Sequence, residues 1–256
     1  MPEQKILVLA AHPDDELVGC GISIKNNIEM GNEVLVLFLT NGCIPVEELW
    51  FWQKWKHSKA VARRLKEAQD VADILGHKIK IAKENRPARK LWRGLNAAYN
   101  EVKQVIDEYE PSQIWVCAYE GGNPDHDCLN AIGYKLHTEG FEVLEFAEYN
   151  YKDGKKNYNT FIAFAKDAKV IELTKEESKF KKELYKKYTS EKGNLNLGIK
   201  QESYRPIRKY DYHSPPHKGE LWYERFRQVP FHHPRIDRND KTAISRAIMA
   251  FINLYS

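Results

Sequence analysis

The chain has 256 residues, of which 40 are Lys or Arg and 36 are Asp or Glu, so its formal net charge is +4. With 42% hydrophobic and 12% aromatic residues but only 14 Gly and 11 Pro, the composition excludes disordered and collagen-like chains. A charge this close to balance predicts no nucleic-acid partner. No apolar run reaches the roughly 18 residues of a membrane-spanning helix, so no transmembrane segment is predicted. Four cysteines without a CxxC pair, in a chain with no export signal, predict a cytoplasmic protein with reduced thiols.

Strand and helix patterns alternate over residues 1–150. Near-continuous apolar runs predict strands buried on both faces, and apolar residues at helical spacing predict helices between them. The predicted strands are Lys5–Ala11, Glu33–Thr40, Lys78–Ala82, Gln113–Ala118 and Phe141–Tyr149, and the predicted helices are Ser23–Met30, Ser58–Leu75, Leu95–Tyr109 and approximately His126–Glu139. This order predicts an α/β fold, a doubly wound parallel sheet with helices on both faces.

Residues 151–256 follow a less regular pattern. We expect strands at Thr160–Ala165 and Ala168–Leu173, a charged helix at Lys175–Tyr188, loops over 192–238 and a helix at about Lys241–Leu254. The chain holds no internal repeat and no low-complexity linker. We therefore predict a single domain over residues 1–256, with a core at 5–150 and an elaborated C-terminal third at 151–256.

Two segments rich in His and Asp follow predicted strands. Ala11-His12-Pro13-Asp14-Asp15-Glu16 comes directly after the first strand, and Gly121-Gly122-Asn123-Pro124-Asp125-His126-Asp127 comes shortly after the strand at Gln113–Ala118. Open α/β sheets bind their ligands at the carboxyl ends of the strands, so we expect these side chains to meet at one edge. Several acids in a crevice are costly unless a cation or hydrogen bonds compensate them.

Two imidazoles and one carboxylate, from His12, Asp15 and His126, form a ligand set of the catalytic zinc type, with the fourth position left to water. Asp14 would then be free to take a proton from that water, whose pKa falls to about 7 on a metal. The alternative interpretation needs no metal. Asp14 would be a helix N-cap, Glu16 a first-turn acid, and His126 a surface residue at the start of its helix.

Four segments resemble motifs of the LmbE-like, or PIG-L, family of zinc-dependent N-deacetylases of N-acetylglucosamine-type sugars. AHPDDE and PDHD are the strongest, and Arg64-Leu-Lys-Glu67-Ala68 running to Ile74-Leu75-Gly76 is similar to an R-x-x-E…L-G helix. Residues 181–191 are similar to a K-x-x-x-L-x-x-[HY]-x-S-Q segment, with Tyr185 in place of Leu and Glu191 in place of Gln. The resemblance implies a Rossmann-like sheet and hydrolysis of the N-acetyl group of an amino-sugar conjugate.

The same resemblance implies a role for each matching residue. One Zn²⁺ per chain would be held by His12, Asp15 and His126, and Asp14 would be the general base. Fe²⁺ is an alternative, because this ligand set accepts either ion. Arg64 would contact the sugar or its substituent, and we expect Asp127 to support the ligands from behind. The implied partner is a small N-acetylated sugar conjugate, and the oligomeric state is left open.

One position departs from the family pattern. The first histidine of the usual His-Pro-Asp-His is replaced by Asn123, which can donate a hydrogen bond to an oxyanion but cannot act as a general acid. The acid would then be Asp14 or a C-terminal histidine, and the candidates are His213, His217, His232 and His233. Two alternatives follow. One is a non-catalytic or weakly active sugar-binding relative, and the other is a metallophosphoesterase, which usually needs carboxylates for two metals about 4 Å apart.

Substrate specificity is expected in residues 43–56 and 192–238. The first range holds a cluster of aromatic residues, which either stack on the substrate, contact another subunit or pack a loop onto the core. These residues are Trp50, Phe51, Trp52 and Trp55. Cys20 and Cys43 are expected to be buried, inert thiols, because a zinc hydrolase of this type needs no nucleophilic cysteine.

Overall fold

The structure is a computed structural model that describes residues 4–163, 166–193, 195, 197–224 and 240–254. In chain order its elements are β1 (Lys5–Ala10), α1 (Asp15–Glu29), β2 (Glu33–Phe38), α2 (Phe51–Lys54), α3 (His57–Leu75), β3 (Lys78–Ile81), α4 (Leu95–Tyr109), β4 (Gln113–Cys117), α5 (Pro124–Thr138), β5 (Val143–Phe146), β6 (Tyr149–Asn150), β7 (Asn157–Tyr158), β8 (Lys169–Glu172), α6 (Lys175–Tyr185), β9 (Gln201–Pro206) and α7 (Lys241–Asn253). None of the helices in these ranges is both long and apolar enough to cross a membrane.

Seven strands form the main sheet, in the order β3-β2-β1-β4-β5-β9-β8. The first five are parallel to one another, whereas β9 runs antiparallel to both β5 and β8. The central strand β1 is flanked by β2 and β4, and its residues from Ile6 to Ala10 are all buried. Such two-sided cover explains its unbroken apolar sequence. The prediction of an α/β fold on a mostly parallel sheet is confirmed.

The C-terminal third differs from the prediction in three places. The first is the two-residue strand β7, in a range where no strand was predicted. Residues 160–163 form no strand, because their carbonyl groups are partly taken by side chains: Asn150 donates to the oxygen of Thr160 at 3.1 Å. Residues 164–165 lie outside the described part of the chain. The range 192–238 was expected to hold only loops, yet it contains β9. That strand escaped prediction because its buried residues are polar, with Glu202 and Arg205 each in an ion pair.

Helix α1 begins eight residues earlier than predicted. Its first half contains two glycines, which weaken the helical pattern, and its backbone departs from helical geometry at Cys20. Gly19 is required there by space, since a Cβ atom at that position would lie 2.2 Å from the ring of Phe146. Beyond the break, the backbone N–H groups of Ile22 and Ser23 donate to the carboxylate of Glu202 at 2.9 and 2.8 Å. A carboxylate from β9 therefore caps the second half of α1.

Strands β8 and β9, from the C-terminal third, lie in the same sheet as β1 to β5. Helix α2 and strand β6 were not predicted as elements of their own, and the remaining elements begin and end within a few residues of their predicted bounds. Helix α6 starts at a capping box, in which Thr174 and Glu177 satisfy each other's backbone N–H groups. The division into a core at 5–150 and a C-terminal elaboration stays a prediction.

Candidate active site

The two predicted His/Asp segments meet at the carboxyl edge of the sheet. His12 follows β1 after a single residue, and His126 lies in the first turn of α5, which follows the neighbouring parallel strand β4. The segment after β1 turns sharply, with Asp14 at a φ of 134°, a conformation that residues with side chains rarely adopt. The N–H of Asp14 donates to Glu16 at 3.0 Å, and Glu16 in turn accepts from the Tyr188 hydroxyl at 2.7 Å. These bonds hold the turn in place.

Three buried side chains converge at this edge. His12 Nδ1 lies 3.1 Å from Asp15 Oδ2, His126 Nε2 lies 3.2 Å from the same oxygen, and the two nitrogens are 3.4 Å apart. Donor atoms about 2.0–2.1 Å from a tetrahedral zinc ion lie roughly 3.4 Å from one another. The donor types and their spacing therefore fit a single zinc-like ion, and the expected grouping of His12, Asp15 and His126 is present in the structure.

Each histidine uses its second ring nitrogen to contact a buried carboxyl group. His12 Nε2 lies 3.0 Å from Asp125 Oδ2, and His126 Nδ1 lies 3.5 Å from Glu148 Oε2. Asp125 is itself held by the backbone N–H groups of Arg89 and Leu91, the latter at 2.9 Å. Partners of this kind orient metal-binding histidines and select their tautomer.

The supporting residue predicted from the sequence has a different place. Asp127 accepts hydrogen bonds from the backbone N–H groups of Glu120 and Gly121, at 3.2 and 3.0 Å. It therefore shapes the loop between β4 and α5. The carboxyl groups that contact the histidines, Asp125 and Glu148, were not predicted in that role. Asp125 stood inside the recognised motif, and Glu148 follows β5, the next parallel strand along the sheet.

Burial and mutual attraction displace the pKa values of this cluster. Burial lowers the pKa of His12, but the carboxylates of Asp15 and Asp125 raise it more strongly, to about 10. Burial raises the pKa of Asp15, but the two histidines outweigh it and hold that pKa far below its usual range. Burial and the charge of Asp15 raise the pKa of Glu148 well above the ordinary value. The site as a whole thus combines charged groups that attract one another with a neutral acid beside them.

A second set of donor atoms adjoins the first and shares one histidine with it. Cys117, His126 and Glu148 offer atoms within 4.8 Å of one another. Burial raises the pKa values of both the Cys117 thiol and the Glu148 carboxyl group, so both favour their protonated forms. A cation there would have to displace both protons, just as an ion between His12, Asp15 and His126 would have to displace the extra proton of His12.

Asp14 is held by an arginine from α3. Arg64 Nη2 lies 2.9 Å from Asp14 Oδ2, its Nε donates to the carbonyl oxygen of Pro13 at 3.2 Å, and its Nη1 pairs with Glu191. Burial raises the pKa of Asp14 to about 8, while the charge of Arg64 acts in the opposite direction. Arg64 was expected to contact a sugar; in the structure its guanidinium group contacts the proposed base and the residue that stands where the motif usually has Gln.

Asn123 lies at the start of α5 as its N-cap. Its Oδ1 accepts a hydrogen bond from the N–H of Asp125 at 3.0 Å, so only its amide NH₂ group is left to donate toward a substrate. Tyr149 lies close by, with its ring centroid 5.5 Å from that of His126.

The candidate acids among the C-terminal histidines differ in their placement. His213 is exposed. His217 is buried, with Nδ1 2.8 Å from the carbonyl oxygen of Lys218, and its Nε2 has no hydrogen-bond partner within the described residues. His232 and His233 lie outside those residues. Within the described residues, neither His213 nor His217 is hydrogen-bonded to His12, Asp15 or His126.

The aromatic cluster of residues 50–55 is exposed on and around α2. Trp50 and Trp52 stack at 5.0 Å, and Phe51 meets the edge of Trp52 at 4.8 Å. Phe51 is 78% exposed and Trp55 66% exposed, so these rings do not pack a loop onto the core. The thiols behave as expected at Cys20, where burial raises the pKa well above the ordinary value, whereas Cys43 is only half-buried.

Comparisons with known proteins agree with this architecture. The family model described as GlcNAc-PI de-N-acetylase, PIG-L, matches residues 7–137, just over half of the chain. A curated relative, the diacetylchitobiose deacetylase of Thermococcus kodakarensis, is 28% identical over 165 residues, covering 61% of this chain and 52% of the relative. The chain thus spans about half the length of that relative.

Two solved structures share the fold at low identity. A teicoplanin deacetylase in a zinc-inhibited form is 18% identical, with a TM-score of 0.62, covering 81% of this chain and 99% of the other. The N,N′-diacetylchitobiose deacetylase of Pyrococcus horikoshii, in complex with an inhibitor, is 15% identical, with a TM-score of 0.56, covering 84% and 85%. Together with the family match and the His/Asp motifs at the sheet edge, these likenesses place the fold, and the chain belongs to the PIG-L family.

Proposed function

We propose that this protein is a zinc-dependent hydrolase that removes the N-acetyl group from an amino-sugar conjugate, with acetate and a free amine as products. The observation that carries the proposal is the buried triangle of His12 Nδ1, Asp15 Oδ2 and His126 Nε2, with sides of 3.1–3.4 Å, beside a carboxyl group suited to proton transfer. Membership of the PIG-L family supports it, as do relatives named as deacetylases of diacetylchitobiose and of teicoplanin.

The three triangle residues would hold one ion, which we propose to be zinc, with iron(II) as the alternative that the same donors accept. A zinc ion bound there supplies Lewis-acid chemistry and lowers the pKa of a coordinated water to about 7. Asp125 and Glu148 fix the rings of the two histidines by contacting their second nitrogens. Asp127 holds the backbone of the adjoining loop, which is the supporting role that we assign to it.

Asp14 is the proposed general base. It takes a proton from the attacking water as the new C–O bond forms at the acetyl carbonyl, and it returns that proton to the amine nitrogen as the C–N bond breaks. Burial raises the pKa of Asp14 from that of an ordinary carboxyl group, and a proton-transfer group works best when its pKa lies near the working pH. Arg64 keeps the carboxylate in place at 2.9 Å, and it is also our candidate for contact with the sugar substituent.

Asn123 is the proposed amide donor to the carbonyl oxygen as that oxygen gains negative charge. Its Oδ1 is committed to capping α5, so the NH₂ group is the part that can face a substrate. Donors of this kind lower the barrier because they are already oriented before the charge develops.

The test is acetate release from a panel of N-acetylglucosamine conjugates by the zinc-loaded protein, with a chelator arm and with zinc or iron(II) added back. We expect release that the chelator abolishes, and an Asp14→Asn variant that keeps its metal but loses about 10²–10⁴-fold in turnover. Wild-type turnover in that variant with metal bound would refute the mechanism. Ligand binding without acetate release would favour the sugar-binding alternative, and hydrolysis of phosphate esters with two ions per chain would favour the phosphoesterase.

A further inference from the structure

Tyr149 occupies a position between the metal-binding triad and the C-terminal part of the chain. Its ring meets that of His126 nearly edge-on, with the centroids 5.5 Å apart. On its other side, the ring of Trp222 lies 5.1 Å away. Tyr149 begins strand β6, which pairs with β7 in a short antiparallel hairpin, with Tyr158 directly opposite. The hairpin therefore carries one aromatic residue to the edge of the proposed active site.

The ring of Tyr149 packs directly against the backbone of Gly122. A Cβ atom at Gly122 would lie 2.3 Å from the carbonyl oxygen of Tyr149 and 3.0 Å from two of its ring carbons, so only glycine leaves room. The next residue after this glycine is Asn123. The hairpin is also tied to the loop between β4 and α5, since Glu120 accepts from the N–H of Glu148 at 2.9 Å. The absence of a side chain at Gly122 and the hydrogen bond from Glu148 to Glu120 thus both allow Tyr149 to lie close to this loop.

The side chain of Tyr149 is hydrogen-bonded to that of Asn123. A phenol, with an ordinary pKa of about 10, is protonated at neutral pH and can donate a hydrogen bond. Because the Oδ1 of Asn123 already accepts from the N–H of Asp125, its bond to Tyr149 is assigned to the amide NH₂ group, which leaves the hydroxyl proton of Tyr149 available to donate.

We propose that Tyr149 is a further catalytic residue, whose hydroxyl group donates a hydrogen bond to the amide carbonyl oxygen of the substrate as negative charge develops on it. This inference rests on the proposed deacetylation and adds a second donor to the carbonyl oxygen, beside the amide group of Asn123. The bond forms without transfer of the proton, so the phenol is unchanged at the end of the cycle. Removal of one donor to a developing oxyanion typically costs about 10²–10³-fold in kcat.

The experiment compares Tyr149→Phe with the matched control Tyr158→Phe, from the same hairpin and also packed against Trp222, at 6.0 Å. Three quantities are measured on the zinc-loaded proteins: kcat and KM for acetate release, zinc content, and the affinity for a methylphosphonamidate of glucosamine, a tetrahedral mimic of the reacting acetamide. For Tyr149→Phe we expect kcat to fall by about 10²-fold or more with KM nearly unchanged, and the mimic to bind correspondingly more weakly. Zinc content should equal that of the wild type, and the control should match the wild type throughout.

The outcomes separate this inference from the function on which it rests. An active wild type with an equally active Tyr149→Phe variant would overturn the role of Tyr149 alone. Loss of zinc in that variant, in proportion to its loss of turnover, would also overturn it, because Tyr149 would then only support the ring of His126. A wild type that releases no acetate from any conjugate would overturn both proposals.

Discussion

The contact between Asp125 and His12 leads to a graded prediction for metal affinity. In the structure, Oδ2 of Asp125 accepts from His12 Nε2 at 3.0 Å and from the N–H of Arg89, while Oδ1 accepts from the N–H of Leu91 at 2.9 Å. In Asp125→Asn, one oxygen becomes an NH₂ donor. The better orientation keeps oxygen toward His12 and Arg89 and turns the NH₂ group toward the N–H of Leu91, which loses its acceptor.

The magnitudes follow from what each variant retains. Asp125→Asn keeps a neutral hydrogen bond to His12 in place of a charge-assisted one, so we expect zinc affinity to fall about 10-fold, the lower end of the usual range for such partners. Asp125→Ala removes the acceptor altogether, and we expect about 100-fold, which corresponds to about 2.7 kcal/mol. The unpaired N–H of Leu91 should also lower the free energy of unfolding by about 1–3 kcal/mol in the Asn variant.

Zinc affinity is measured by competition with a chromophoric chelator, and circular dichroism checks that each variant is folded. Asp107→Asn is the matched control, since Asp107 is exposed on α4. It should bind zinc as the wild type does. Folded Asp125 variants with wild-type zinc affinity would refute the argument, because His12 would then be oriented without Asp125.

Two further predictions concern stability. Lys181 and Glu202 are both almost fully buried and lie 2.7 Å apart. Lys181→Met leaves the carboxylate of Glu202 without its cation, so it should lower the free energy of unfolding by about 3–5 kcal/mol. Urea denaturation measures this, and a loss near zero would contradict it. Burial raises the pKa of Glu120 to about 8 and that of Asp127 to about 7. Between about pH 4 and pH 8 the folded protein therefore binds more protons at these two carboxyl groups than the unfolded chain does. The stability that this proton binding provides is lost as the pH rises through the two pKa values. We therefore expect the Tm of the metal-free protein to fall from pH 5 to pH 8, and a Tm that rises over this interval in calorimetry would show that other groups dominate.

The sheet could be predicted because its strands are apolar and buried on both faces, as in β1. Strand β9 could not, since its buried residues are polar and are stabilised by partners that are distant in sequence: Glu202 by Lys181, and Arg205 by Glu145. No pattern in the local sequence predicts an ion pair between residues so far apart in the chain. The ion pairs of Arg64 with Asp14 and Glu191 could not be predicted either, because they depend on where α3 lies relative to the turn after β1.

The grouping of His12, Asp15 and His126 could be predicted because strand ends of a parallel sheet share one edge. The same rule, applied to the next strand, β5, leads to Glu148 and Tyr149, which follow its end. They were missed because the apolar pattern was extended through Tyr149, so both residues were assigned to the strand itself. Charged and aromatic residues at the end of each predicted parallel strand are thus the signal to search for.

The backbone conformation and the burial of Asp14 both lower the stability of the fold, although its carboxyl group is the proposed general base. A backbone φ of 134° is unfavourable for any residue with a side chain and costs on the order of 1–3 kcal/mol, whereas glycine adopts it freely. Burial of the carboxyl group is unfavourable as well, as the raised pKa of Asp14 reflects. Asp14→Gly would relieve the backbone strain, but it would also remove one of the two carboxylates that pair with the buried Arg64 and would discard the proposed base. A search for stabilising substitutions in the proposed hydrolase therefore has to keep Asp14 and to look for gains elsewhere in the fold.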